Sequence, residues 1–154
     1  MSKKTHIDVQ IAKKKDLEKV LDCVLERHKA AGTKQPYSLI QQTAYNLLKK
    51  DNDLGIIWLI NLDKTCIGYA VLSYGYSLEF GGRDATLAEF HIAKAHRKSS
   101  IEARALEKLV DEARTLPIRA LHLDYDSSIH DLSEIAQKAA FKKRDQLRRM
   151  TLLI

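Results

Sequence analysis

The chain of 154 residues contains only two cysteines and no long apolar run. Cys23 and Cys66 are too few for the disulfide framework of a small secreted protein, and neither has an identifiable activating neighbour, so we interpret both as core or surface thiols. No apolar run approaches the roughly 20 residues that cross a bilayer. The N-terminal residues MSKKTHID lack the apolar core of a signal peptide. These absences predict a cytoplasmic protein without a membrane partner.

Aromatic residues are also scarce, at 6% of the chain, whereas 45% of the residues are hydrophobic. This length suits one domain with a real core, and no linker, repeat or low-complexity tract divides it, so we expect a single domain over residues 1–154. The 26 Lys and Arg exceed the 20 Asp and Glu, which gives a net charge of +6. This charge favours anionic partners, either phosphorylated cofactors or nucleic acid.

The spacing of apolar residues predicts the element order βααβββαβαβ, with turns at Asp63-Lys64 and Gly81-Gly82. Three consecutive strands are expected to form an antiparallel meander, and the helix that follows implies a parallel pair with the next strand. The fold class is therefore mixed α/β, a mostly antiparallel sheet with helices on both faces. The predicted strands are 7–12, 55–62, 66–76, 86–93, 119–124 and 150–154, and the predicted helices are 17–31, 36–48, 100–115 and 132–139.

The stretch 87–113 reads as a strand, a basic turn and a helix in succession. In the strand, Ala88, Phe90 and Ile92 alternate with Leu87, Glu89 and His91, and a serine at 99 or 100 is placed to cap the helix. The turn is His96-Arg97-Lys98. Since a helix N-terminus presents unpaired N–H groups, the turn is a candidate phosphate site, with a solvated basic turn as the alternative.

Five blocks of sequence then resemble one known family. They read GYSLEFGGRDA from Gly75 to Ala85, followed by LAEFHI, HRKSSIEA, RALHLDYD and AQKAAF. The whole chain is similar to the GNAT superfamily of acyl-CoA-dependent N-acetyltransferases. The resemblance implies the GNAT fold, acetyl-coenzyme A as co-substrate, and a splay between the fourth and fifth strands that admits its pantetheine arm. It also implies coenzyme contacts from His91, Ile92, Ala93, Arg97, Lys98, Ser99, Ser100, Ile101 and Glu102.

Two places depart from the family pattern. In the turn that holds the pyrophosphate, Ser100 replaces a glycine and Glu102 replaces a small residue, so a Cβ takes space and a carboxylate repels phosphate. Near the last helix, Ile129 and Ala136 stand where the family usually has Asn and Tyr. The side-chain general acid of the family is therefore missing.

Glu89 is the candidate catalytic base, because it occupies the position of the second acid in the family's fourth strand. The alternative is a carboxylate paired with a nearby Arg or Lys. His91 shares its predicted face and is a second candidate, unless it is a packed histidine. His122 and Asp124 on the next strand could meet these groups, but no close His/Cys/Asp cluster has metal-ligand spacing, so no metal is predicted.

Two functions follow from this pattern. The first is acyl-CoA-dependent N-acetyltransfer to an amine of a small molecule or protein, and the second is a non-catalytic GNAT-fold module that has lost coenzyme binding. The partners of the first are acetyl-coenzyme A and the amine acceptor, with a homodimer left open. The basic run 141–149 with Lys13 to Lys15 offers a nucleic-acid patch as an alternative, but a solvated edge is the favoured interpretation.

Overall fold

The computed structural model describes residues 5–154, without the side chain of Ser99. Two short 3₁₀ turns, Lys14–Asp16 and Lys94–His96, precede the first and third helices. Within the described residues no helix is both long enough and apolar enough to cross a membrane. The strands are β1 (Ile7–Ile11), β2 (Gly55–Leu62), β3 (Thr65–Ser77), β4 (Gly82–Ile92) and β5 (Leu121–Leu123), and the helices are α1 (Leu17–Ala31), α2 (Tyr37–Leu47), α3 (Ser99–Arg114) and α4 (Ser133–Lys138).

The strands form one sheet in the order β1-β2-β3-β4-β5. The first three pairings are antiparallel, and β4 pairs with β5 in parallel, from Ala85 opposite Leu121 to Leu87 opposite Leu123. The predicted meander and parallel pair are therefore confirmed. The hairpin turn also lies where it was predicted, since Asp63 and Lys64 have positive φ values of 48° and 72°.

Helices cover both faces of the sheet. On one face of the sheet, α3 buries Leu106 and Leu109 in a core that also contains α4 and the strand side chains that point to this face. On the other face α1 buries Val20 and Leu21 in a second core shared with α2. The α1 stripe ends at Gly32, whose φ of 69° is the left-handed stop that the sequence predicts.

Two extra residues interrupt the regular alternation of the strands. Ile67 in β3 has no partner, because Ile60 pairs with Gly68 while Asn61 pairs with Cys66. Ala88 in β4 is skipped in the same way, because Leu87 pairs with Leu72 and Glu89 with Val71. Each of these β-bulges exchanges the two faces of the strand beyond it.

The bulge at Ala88 corrects the predicted alternation in β4. Leu87 packs into the α3 core together with Phe90 and Ile92, although a regular strand would place it opposite them. Glu89 and His91 therefore face α1. The sequence correctly placed these two on one face, and it was wrong in grouping Leu87 with them.

Two other predictions are wrong. Residues 150–154 form no strand, because the outer edge of β5 is only three residues long and a cavity of about 1400 Å³ lies between that edge and segment 141–149. Within this segment Arg144 and Arg149 bind Glu79 and Asp124. The N-cap residue of α3 is Lys98 and not a serine, because the helix already begins at Ser99.

We predict that Gly68→Ala destabilises the protein far more than Gly81→Ala. A Cβ at Gly68 would lie 2.1 Å from the backbone oxygen of His91, so the β3–β4 ladder must shift, and we expect a loss of at least about 3 kcal/mol. Gly81 has a φ of 73° and open space around it, so its substitution costs only about 1–2 kcal/mol of backbone strain. Urea unfolding of the two variants measures both losses, and equal losses would contradict the close approach.

Candidate active site

Glu89 lies between two partners from different elements. The hydroxyl of Tyr69 on β3 donates a hydrogen bond to Oε2 of Glu89, and Nη1 of Arg27 on α1 lies 3.6 Å from Oε1. The side chains of Arg27 and Glu89 are 31% and 27% exposed, so solvent reaches the pair. Glu89 is therefore paired with an arginine, as the alternative interpretation of the sequence proposed. Its carboxylate is nevertheless accessible to a ligand.

Tyr69 is the buried support of this carboxylate. Its ring is fully buried in the core under α1 and lies beside His91, with ring centroids 6.1 Å apart. Burial, together with the negative charge of Glu89, raises the pKa of Tyr69 well above its usual value. The phenol therefore stays protonated and acts as a fixed hydrogen-bond donor to Glu89.

His91 is the second titratable group on this face, and it is only 7% exposed. Its Nε2 lies 3.5 Å from Oε1 of Glu26, and its Nδ1 lies 3.4 Å from Nη2 of Arg97. Burial lowers the pKa of His91, and the nearby Glu26 carboxylate opposes that shift. His91 is thus a packed, mostly neutral imidazole, whereas Glu89 is the accessible group.

A wedge-shaped opening separates β4 from β5. The last hydrogen bond between them runs from the Asp124 N–H to the Leu87 carbonyl at 3.1 Å, and β4 continues to Ile92 without a parallel partner. The opening has a volume of about 80 Å³. Its lining includes Phe90, His91, Ile92, Arg97, Glu102, Tyr125 and His130.

Side chains of the basic turn occupy part of this wedge. Arg97 donates two hydrogen bonds to the carbonyl of Ile92, from Nε at 3.3 Å and from Nη2 at 3.1 Å. Glu102, in the first turn of α3, is only 3% exposed, and its Oε1 lies 2.6 Å from Nε2 of His130. The carboxylate therefore sits at the positive end of the α3 dipole, where an anionic ligand would otherwise bind.

The structure brings together most of the residues that the sequence singled out. His91, Ile92, Arg97 and Glu102 line the wedge, while Ala93, Lys98, Ser100 and Ile101 follow the same path from β4 into α3. For Ser99 the backbone lies in the first turn of α3.

His122 and Asp124, which the sequence allowed to meet Glu89 or His91 across the sheet, bind other partners. His122 stands opposite Thr86 and binds Asp84 with a separation of 3.1 Å, whereas Asp124 binds Arg149. The strands part before Glu89 is reached. Among the described residues no group of three His, Cys, Asp or Glu side chains has the arrangement of a metal site.

Sequence reasoning missed Arg27, Glu26 and His130 as members of the site. All three lie far from the central stretch in sequence, and none belongs to a motif. Tyr69 was not predicted to contact Glu89 either. Its contact with Glu89 depends on the bulge at Ala88, which no local pattern marks.

Comparisons with known proteins identify the family and the fold. A family model described as Acetyltransferase (GNAT) family matches residues 17–132. Among curated proteins, none matches the chain in sequence.

Solved structures share the fold over nearly the whole chain. An integron cassette protein from the mobile metagenome of Cole Harbour Salt Marsh is 26% identical with a TM-score of 0.81, and the match covers 96% of this chain and 91% of that one. The aminoglycoside N-acetyltransferase AAC(6')-Iy in complex with CoA is 14% identical with a TM-score of 0.75, covering 99% and 98%. A ribosomal-protein-alanine N-acetyltransferase from Brucella melitensis biovar Abortus 2308 is 13% identical with a TM-score of 0.72, covering 97% and 99%.

The buried His91 predicts a specific pH dependence of stability. Because its folded pKa is lowered, the unfolded chain binds a proton that the folded chain does not, over the range from about 6.5 down to the lowered value. The contribution of His91 is thus fully present above about pH 6.5 and is lost as the pH falls through this range.

Between about pH 7 and pH 5, the unfolding free energy of the wild type should fall more steeply than that of His91→Gln, by at most about 1.4 kcal/mol per pH unit. Urea unfolding at several pH values measures both slopes. Identical slopes would show that His91 is not held neutral by burial.

Proposed function

We propose that this chain, which belongs to the acetyltransferase (GNAT) family, transfers an acetyl group from acetyl-coenzyme A to an amine of a small molecule or a protein. The observation that carries the proposal is the accessible Glu89, held by Tyr69 and Arg27 next to the wedge between β4 and β5. Related structures described as N-acetyltransferases support the same class. The comparisons do not support the alternative of a non-catalytic module.

The wedge carries the kinds of group that an extended acyl carrier with a diphosphate needs. The unpaired edge of β4 offers backbone groups to a pantetheine arm, and the N-terminus of α3 with Arg97 and Lys98 offers positive charge to phosphates. Acetyl-coenzyme A would supply an acetyl group activated as a thioester. The residues that would hold it are His91, Ile92, Ala93, Arg97, Lys98, Ser99, Ser100 and Ile101.

Glu102 opposes the diphosphate at this same place. Its buried carboxylate, paired with His130, lies against the helix turn whose N–H groups would face the phosphates. Room for the diphosphate therefore requires that the Glu102–His130 pair moves away from the turn. Coenzyme binding is consequently weaker than in a turn built from glycine and alanine.

Glu89 acts as the base that takes a proton from the acceptor amine. The phenol of Tyr69 and the guanidinium of Arg27 fix the carboxylate from two sides, which limits the disorder of a group that must meet the amine in one geometry. Glu26, which is 49% exposed, adds a second carboxylate on the same face through its contact with His91.

No side-chain acid stands at position 136, where the family usually has a tyrosine. Ala136 is buried in the core between α4 and α3, so its position contributes packing and not proton transfer. The chemistry supplied by this chain is therefore the positioning of the amine and the removal of its proton.

We predict that Glu89→Gln lowers kcat by about 10²-fold or more while the Kd for acetyl-coenzyme A changes little, because a base acts in the transition state. The matched control is Glu79→Gln, which alters an exposed carboxylate bound to Arg144 far from the wedge. Steady-state acetyl transfer to a panel of small-molecule and peptide amines, with calorimetric titration of acetyl-coenzyme A, measures both quantities. A wild-type rate in Glu89→Gln would remove Glu89 from the mechanism.

We also predict that the double variant Ser100→Gly/Glu102→Ala binds coenzyme A at least about tenfold more tightly than the wild type, a gain of about 1.4 kcal/mol. The alanine removes the repelling carboxylate and the glycine admits the phosphates, at a cost of about 1 kcal/mol in helix stability. Ser100→Gly/Glu107→Ala is the control, since Glu107 is exposed on α3. Equal Kd values for the two double variants would show that Glu102 does not limit binding.

A further inference from the structure

We propose that Cys23 and Cys66 form a redox-sensitive modification site, in which a peroxide closes the two thiols to an intramolecular disulfide that joins α1 to β3. The two sulfurs lie 3.8 Å apart, although 43 residues separate the cysteines in sequence. They are the only cysteines of the chain. An oxidised pair therefore has one intramolecular product.

The bulge at Ile67 creates this pair. In β3 the side chains of Tyr69 and Val71 face α1, and a regular strand would turn Cys66 to the opposite face, toward α3. The extra residue returns Cys66 to the α1 face, where it packs in the same core as Cys23. Both cysteines are partly exposed, so a small oxidant reaches them without unfolding of the protein.

The surroundings make the two thiols unequal. The hydrogen-bond contact with Cys23 lowers the pKa of Cys66, and the charge of Lys19 acts in the same direction against the effect of burial. The same sulfur contact, together with burial, raises the pKa of Cys23. Cys66 is therefore the thiol that provides the thiolate, and Cys23 is the resolving thiol.

The oxidation consumes one molecule of peroxide for each disulfide that forms. The Cys66 thiolate attacks a peroxide oxygen, an S–O bond forms as the O–O bond breaks, and the released hydroxide takes a proton to become water. The sulfur of Cys23 then attacks the sulfur of Cys66, and the S–S bond forms as the S–O bond breaks. The proton of Cys23 leaves with that hydroxide as a second water. Both cysteines are oxidised and the peroxide is reduced.

The disulfide acts on the two elements that hold Glu89, and this part of the inference rests on the proposed function. Arg27 lies one helical turn after Cys23 on α1, and Tyr69 lies three residues after Cys66 on β3. A disulfide requires the sulfurs to approach from 3.8 Å to about 2.05 Å. To the extent that rotation of the two side chains does not supply this approach, α1 shifts against β3 and Arg27 moves away from Glu89, so we expect the oxidised protein to transfer acetyl groups more slowly.

To test the proposal, the reduced full chain is treated with hydrogen peroxide, and the remaining thiols are blocked with iodoacetamide under denaturing conditions. The intact mass of the protein is then measured. The wild type should accept no alkyl group, weigh two hydrogen atoms less, and remain a monomer on a non-reducing gel. Its Tm should rise by about 5 °C or more, because the crosslink restricts the unfolded chain. Cys23→Ser and Cys66→Ser should show neither the mass loss nor the rise in Tm, and both should keep the wild-type rate when reduced.

The rate of acetyl transfer by the oxidised wild type should fall by about tenfold and recover with dithiothreitol, since small displacements of a positioned base are costly. Free thiols after peroxide treatment, or a disulfide-linked dimer, would overturn the intramolecular site. An unchanged rate in the closed form would overturn the effect on Glu89. A reduced protein without any acetyl transfer would instead contradict the proposed function, while mass and Tm would still decide whether the disulfide forms.

Discussion

The single extra residue in β4, Ala88, is the constraint on which the site depends. Without it, Glu89 would share the face of Leu87 and point into the α3 core, where an unpaired carboxylate is strongly disfavoured. With it, the same strand supplies apolar side chains to the α3 core on both sides of the bulge and still presents Glu89 to α1. The charged group reaches Arg27 and Tyr69 because the bulge exchanges the faces of the strand.

The same strand also defines the wedge. β5 is short and stops at Leu123, so β4 keeps an unpaired edge from the bulge to Ile92. The chain stabilises this edge with its own groups, since Arg97 binds the Ile92 carbonyl and Glu102 binds His130 at the start of α3. An open strand edge and a helix N-terminus both leave backbone groups that require partners, and here side chains of the same chain lie against them. The cost is competition with an anionic ligand at the same place.

The local pattern of apolar residues was sufficient to predict the helices, the antiparallel meander and the parallel strand pair. Hydrophobic periodicity over ten or more residues depends only on neighbouring positions in the sequence. The apolar stripe of α1, which ends at Gly32, is an example, and it was interpreted correctly as a helix. The bulges at Ile67 and Ala88 were not predictable in this way, because each is defined by the register of a partner strand. The terminal apolar run 150–154 has the composition of a strand, but strand formation depends on the length of the edge beside it. Arg27, Glu26 and His130 were missed because only the tertiary fold brings them to the site.

The most direct test of the proposed active site is the location of acetyl-coenzyme A, measured by amide chemical shifts of the full chain during titration. The account predicts that the largest changes lie at the unpaired end of β4, around Phe90 and Ile92, and in the first turn of α3, around Ile101 and Glu102. Largest changes along the outer edge of β5, or no changes at millimolar acetyl-coenzyme A, would contradict the assignment of the wedge as the coenzyme site.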